Sequence, residues 1–225
     1  MNGSAGPGEQ VRALVGLHLA LERRTGEALL VVAPFGAVAL LLLPMAVGTD
    51  IPLLRQVGPG FYWLVVLLFG VMLTVRHTAE DGPGAQALLA QCGVDPVARA
   101  VARVVADAVL LLAFQLVLAP VAVALYDPRI PGWPWLFAVL PLVAIGLAAL
   151  GALAGAVSSG APGRALLGPL LVLPLAVPLL LGATQVIEAA RYARAPWPWL
   201  LLMGLAELLA LLATLLTAPS LEETE

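Results

Sequence analysis

Glu207 is the first residue to ask about chemistry, because it stands alone in an apolar run, ten positions after Trp197. An ionisable group at mid-bilayer is costly unless paired or protonated, and by default it is a functional candidate. Gln115, in the middle of another apolar run, and Thr184 with Gln185 in a third are its candidate hydrogen-bond partners. The plainer reading is a neutral carboxyl held against such a group or facing another subunit. Few other residues offer reactivity. The two histidines, His18 and His77, are 59 positions apart and form no HExxH zinc motif. His77 stands at the end of an apolar segment, where an interfacial histidine is more often only that than a ligand. Val157-Ser158-Ser159-Gly160 lacks the first glycine of a GxSG serine-protease motif and falls in a turn. One cysteine, Cys92, allows neither an intrachain disulfide nor a CxxC site. Catalysis by this chain is therefore not expected.

The elements that would position these residues follow from composition. The chain has 225 residues, of which 61% are hydrophobic and 11% charged; soluble domains carry about 25% charged residues. All 11 basic residues are arginine. With no lysine there is no Walker-type phosphate loop, so any ATP must be bound by another chain. A net charge of −3 points to no nucleic acid. Residues 1–27 lack the apolar core of a signal peptide.

About 20 apolar residues cross a bilayer core. Six segments qualify, at 28–47, 57–75, 108–126, 133–157, 165–187 and 197–217, forming one permease-like domain over 1–225. With the N-terminus inside, the inner segments hold seven arginines and the outer loops four, which favours N- and C-termini in the cytoplasm. All five tryptophans are expected at the outer interface in this topology. Residues 9–26 read as an amphipathic helix on the inner surface, with Glu9, Arg12 and Arg23 on one side and Leu14, Leu17 and Leu21 opposite. The connection 76–107 is long. Asp95-Pro96 gives it an N-cap followed by proline at the first helical position. Arg99, Arg103 and Asp107 then recur every four residues as one stripe, read as either a solvated helix end or a docking surface. Gly151 and Gly155 predict close helix packing.

The fifth apolar segment contains GPLLVLPLAVPLLLGAT, with Pro169, Pro174 and Pro178 inside it. An interior proline removes one backbone donor and clashes with the preceding turn. Neighbouring helices and polar side chains can satisfy the freed carbonyls in lipid. Pro174 and Pro178, four apart, are expected to bend this span at mid-depth.

The segment Arg164–Thr184, the PGFYW of Pro59–Trp63 and the loop GAQALLAQCGVDPVARAVAR of Gly84–Arg103 together resemble the cytochrome c maturation protein B (CcmB) family. The resemblance extends over nearly the whole chain from Leu14. In the loop, Gln86 and Ala87 stand where Leu-Glu is usual, Gly93 where proline is usual, and Arg103 where lysine is common. The resemblance implies an all-α integral membrane protein of the ABC-2-like permease type, with six spans, an interfacial helix and a cytoplasmic coupling helix. It implies a homodimer in the bacterial cytoplasmic (inner) membrane, partnered by an ATPase subunit (maturation protein A), the haem-handling subunits C and D and the haem chaperone E. Haem is then a transported or handled species rather than a bound cofactor. Gly84, Leu88, Leu89, Val94, Asp95, Arg99 and Arg103 would make the ATPase contact. ATP hydrolysis on the partner would drive haem export or release of the loaded chaperone. A permease of another ABC exporter, for a lipid or drug, and a non-conducting scaffold are the alternatives.

Overall fold

The computed structural model describes residues 6–26, 28–48, 50–80, 91–126, 133–158 and 164–220. Among them are seven α-helices and no strand. They are α1 (Pro7–Thr25), α2 (Ala33–Val47, entered through a π-helical turn at Ala28–Val32), α3 (Ile51–Glu80), α4 (Pro96–Tyr126), α5 (Trp133–Ser158), α6 (Arg164–Arg191) and α7 (Trp197–Ser220). Six of these elements, all but α1, are long and apolar enough to cross a membrane.

The starts and stops follow local chemistry. Asp95 Oδ1 accepts from the Val97 N–H at 3.0 Å and so caps α4, with Pro96 directly after it. Gly26 ends α1 in the left-handed conformation at φ 64°, its N–H donating to the Glu22 carbonyl. α6 ends in a Schellman-type turn: Arg194 N donates to Ala189 O at 2.8 Å and Ala193 N to Ala190 O at 3.3 Å. The left-handed position of that turn holds Ala193, at φ 51°, where glycine is usual.

α3 begins at Ile51, six residues before the expected 57, because Pro52 sits in its first turn and Leu54 N already bonds Asp50 O at 2.9 Å. That start moves Trp63 three turns into the helix, where it is only 2% exposed. It is a core residue and not part of an interfacial belt. The exposed Trp133 and Trp197 stay at the helix ends, and Trp197 meets Trp135 edge to face at 5.4 Å.

The α5 helix forms the centre of the bundle, packed against α3, α4, α6 and α7. Its Val139, Val143, Leu147, Ala148 and Ala149 are at most 1% exposed. Without a hydrophobic drive between spans in lipid, close approach at small residues supplies the packing. Gly151 is such a point: a Cβ there would lie 2.5 Å from Thr74 Cβ of α3. Gly182 of α6 likewise leaves room for Met203 of α7.

α1 packs on α4, whose Ala98, Ala102 and Ala106 share one face and are buried. Leu14 of α1 is buried, whereas Leu17 and Leu21 are each 52% exposed. The apolar side of α1 is therefore divided between the bundle and its surroundings.

Candidate functional site

The described residues of the docking surface lie at the end of the bundle that carries α1. Gly84, Leu88 and Leu89 fall outside the described residues. Beyond them, Gln91, Cys92 and Gly93 are exposed, Val94 is half-buried and Asp95 is exposed. Asp95 N donates to Gln10 Oε1 at 3.2 Å, tying the start of α4 to the first turn of α1. Arg99 is half-buried. The Arg103 and Asp107 side chains are 16% and 4% exposed, with Arg103 Nε 3.9 Å from Asp107 Oδ2. The four-residue spacing does bring the three charges onto one side of α4. Only the stretch before Arg99 forms open surface, because the stripe turns inward as it enters the bundle.

Glu207 and Gln115 are brought into the interior but do not bond each other. Glu207 is 8% exposed on α7, and its Oε1 has no partner. It lies where α5, α6 and α7 meet, since a Cβ on Gly146 would sit 3.2 Å from Glu207 Cγ and 2.7 Å from Leu179 Cδ2. Gln115 is fully buried on α4 with both amide atoms unpartnered. Thr184 spends its hydroxyl on its own helix, on Leu180 O at 2.6 Å. None of the expected partners therefore bonds Glu207 Oε1.

Helix α6 runs unbroken from Arg164 to Arg191 through Pro169, Pro174 and Pro178. Pro174 is exposed and Pro178 half-buried. The carbonyls these prolines free are those four residues earlier, and for Pro174 that residue is Leu170, 67% exposed.

Two tyrosines do what sequence reasoning assigned to no residue. Pro44 takes the helical donor from Leu40 O, and Tyr126 Oη of α4 donates to that carbonyl at 2.8 Å. Tyr62 of α3 donates to Gln115 O at 2.8 Å, one residue before Leu116, whose carbonyl loses its donor at Pro120. The available signal was the set of interior prolines in α2, α3, α4 and α5, namely Pro44, Pro59, Pro120 and Pro141. Each requires an external donor or an open carbonyl. Tyr62 and Tyr126 both border a cavity of about 80 Å³ that also touches Trp63, Pro59 and Ala122. A larger groove, about 530 Å³, runs between α4, α5 and α7, lined by residues such as Val105, Ala108, Ile145 and Leu215. Thr214 lends it one hydroxyl, which is engaged with Ala210 O at 2.8 Å and Ala149 O at 3.2 Å.

Among the described residues no three His, Cys, Asp or Glu side chains gather as a metal site. What the arrangement offers is an exposed edge beside α1 and a proline-interrupted apolar bundle with polar ties across it.

A family model described as "CcmB protein" matches residues 9–224. The chain belongs to the CcmB family. It is 34% identical over 211 residues to the heme exporter protein B of Paracoccus denitrificans, covering 93% of this chain and 94% of the relative. Its identity to the heme exporter protein B of Haemophilus influenzae is 30% over 157 residues, 69% and 71% of the two chains. The corresponding protein of Pseudomonas aeruginosa is 32% identical over 161 residues, 69% and 70% of each. Together with six apolar helices of spanning length, membership of the CcmB family makes this a multi-pass membrane protein.

Proposed function

We propose that the chain is the membrane subunit of an ABC-type exporter complex of cytochrome c maturation, with haem as the species exported or handled. The observation that carries this reading is the match over residues 9–224, together with relatives named heme exporter protein B that align over most of their length. A chain without a single lysine has no P-loop of its own, so ATP hydrolysis belongs to a separate subunit, maturation protein A. Subunits C and D and chaperone E complete the partner set, and two copies of this chain form the membrane core. The complex lies in the bacterial inner membrane with both termini cytoplasmic, as the excess of arginine on the α1 side favours.

In this reading α1 lies in the headgroup region of the inner leaflet, and Leu17 and Leu21, left exposed by the fold, insert toward the acyl chains. The segment 76–107 is the coupling element: Gly84, Leu88, Leu89, Val94 and Asp95 meet the ATPase, and Arg99 and Arg103 join that edge to α4. Nucleotide-driven movement of the ATPase then biases the packing of the spans, a two-state element moved by a ligand on another chain. The output is haem export or release of the haem-loaded chaperone.

Deleting the gene tests the subunit assignment. Covalent haem in c-type cytochromes should disappear while the apo-cytochromes are still secreted. Surviving haem staining would overturn the assignment and favour a lipid or drug exporter or a scaffold. The coupling assignment has its own test in Cys92, the only cysteine and an exposed one. A photo-cross-linker attached there should capture the ATPase in the detergent-solubilised complex. A complex that co-purifies with its ATPase but gives no adduct would move the contact elsewhere.

A further inference from the structure

The α2 helix is held differently from the other spans. Only 22% of its span is buried, as for α7 and against 56% for α5. However, α7 packs on α4, α5 and α6, whereas α2 packs chiefly on α3 and α4. The buried residues of α2, Ala33, Gly36 and Leu40, form one face. That face sits on α4: a Cβ on Gly36 would lie 3.2 Å from Phe114 Cζ and 3.1 Å from Leu118 Cδ1. One end enters through the five-residue π-helical turn Ala28–Val32, a wide, weakly bonded geometry found disproportionately at functional sites. Toward the other end, Pro44 leaves Leu40 O without its helical donor, and the Tyr126 hydroxyl supplies one at 2.8 Å. Tyr126 itself is fixed, being 1% exposed and packed against Gly58 of α3. The span thus has a soft joint at one end, an apolar seam shared by α3 and α4, and one polar tie at the other.

We propose that α2 is a latch-held gate, which swings about the Ala28–Val32 turn away from α4 and is caught closed by the Tyr126–Leu40 hydrogen bond. The central α5 packs on four helices and would need many contacts to break together, whereas α2 parts from α4 by one seam and one bond while keeping its contact with α3. A single neutral hydrogen bond shifts an equilibrium by at most about tenfold, so the catch holds the closed state without making it permanent. Opening parts α2 from α4 along Gly36 and Leu40 and exposes Phe114 and Leu118 to whatever enters from the bilayer. The proposal concerns this chain alone and stands or falls independently of the exporter assignment.

Hydrogen exchange read by mass spectrometry on the full chain in lipid nanodiscs tests it. In the native protein, residues 41–47 should exchange faster than residues 111–118 of α4. Tyr126→Phe should speed exchange over 41–47 by about tenfold while α5 and α7 keep their native rates. Adding Pro44→Ala restores the helical donor to Leu40 O, so the double variant should return 41–47 to slow exchange. Native-like rates in Tyr126→Phe, an equal rise across α5 and α7, or failure of Pro44→Ala to restore protection would each overturn the gate.

Discussion

Gly151 of α5 and Thr74 of α3 touch so closely that a Cβ on the glycine would lie 2.5 Å from Thr74 Cβ and 2.6 Å from its Oγ1. Thr74 is 1% exposed and its hydroxyl donates to Val71 O at 3.1 Å, so the side chain has little freedom to yield. Any residue larger than glycine must push α3 from the central helix. Gly151→Ala should cost about 1–3 kcal/mol, as overpacking of a close contact does. Thermal unfolding of the detergent-solubilised variant checks this, and pairing it with Thr74→Ala should recover part of the loss.

Glu207 leads to a prediction about charge. Its Oε1 is buried without a partner where α5, α6 and α7 converge, so nothing in the bundle compensates an ionised carboxylate. Glu207→Gln keeps the shape and stays neutral, and it should accumulate and support cytochrome c maturation as the native chain does. Glu207→Arg places a fixed cation in an apolar span, which insertion scales penalise by about 2.5–3.5 kcal/mol. Its amount in the membrane fraction should fall accordingly. Normal levels of the Gln variant with lost haem staining would instead assign Glu207 an ionisable role.

The end of α6 makes a stability prediction of the opposite sign. Ala193 adopts φ 51° at the position where the Schellman-type turn favours glycine. A left-handed alanine is disfavoured by roughly 1–2 kcal/mol, so Ala193→Gly should stabilise the chain by up to about 1 kcal/mol after the added unfolded-state entropy of glycine. A rise in unfolding midpoint is the expected readout. The substitution leaves the cation–π contact of Arg194 on Tyr192, at 5.6 Å, free to persist.

The six spans could be read directly from the sequence because a bilayer-length apolar run is a local property of composition. The start of α4 was legible for a similar reason, since Asp95-Pro96 is a local cap. The start of α3 was not: Arg55 and Gln56 lower the hydropathy of its first turns, although the helix has already begun. Trp63 was misplaced with it, and its burial depends on the neighbours of α3 rather than on its own segment. The tie between Tyr126 and Leu40 lay further out of reach. A tyrosine at a span end reads as an interfacial anchor, and its actual partner is a backbone carbonyl 86 residues away. The π-helical turn at Ala28–Val32 has no sequence signature, since only the hydrogen-bond register distinguishes it. Glu207 and Gln115 were found by type and depth, but that they do not bond each other is a tertiary fact.

Arg103 and Asp107 carry the last prediction, because their burial changes how a charge-reversal experiment reads. Their side chains are 16% and 4% exposed, with Nε 3.9 Å from Oδ2. Removing one member of a largely buried pair takes a charge partner from the other and destabilises the fold, whereas replacing both with apolar groups of similar size is often nearly neutral. Arg103→Met and Asp107→Leu should therefore each lower the unfolding midpoint, and the double variant should be more stable than either. Charge reversal at Arg103 consequently probes the fold before it probes docking. Val97, 37% exposed in the first turn of α4 and five residues after Cys92, offers the cleaner docking test. Val97→Asp should leave the unfolding midpoint unchanged and reduce the amount of ATPase that co-purifies with the chain.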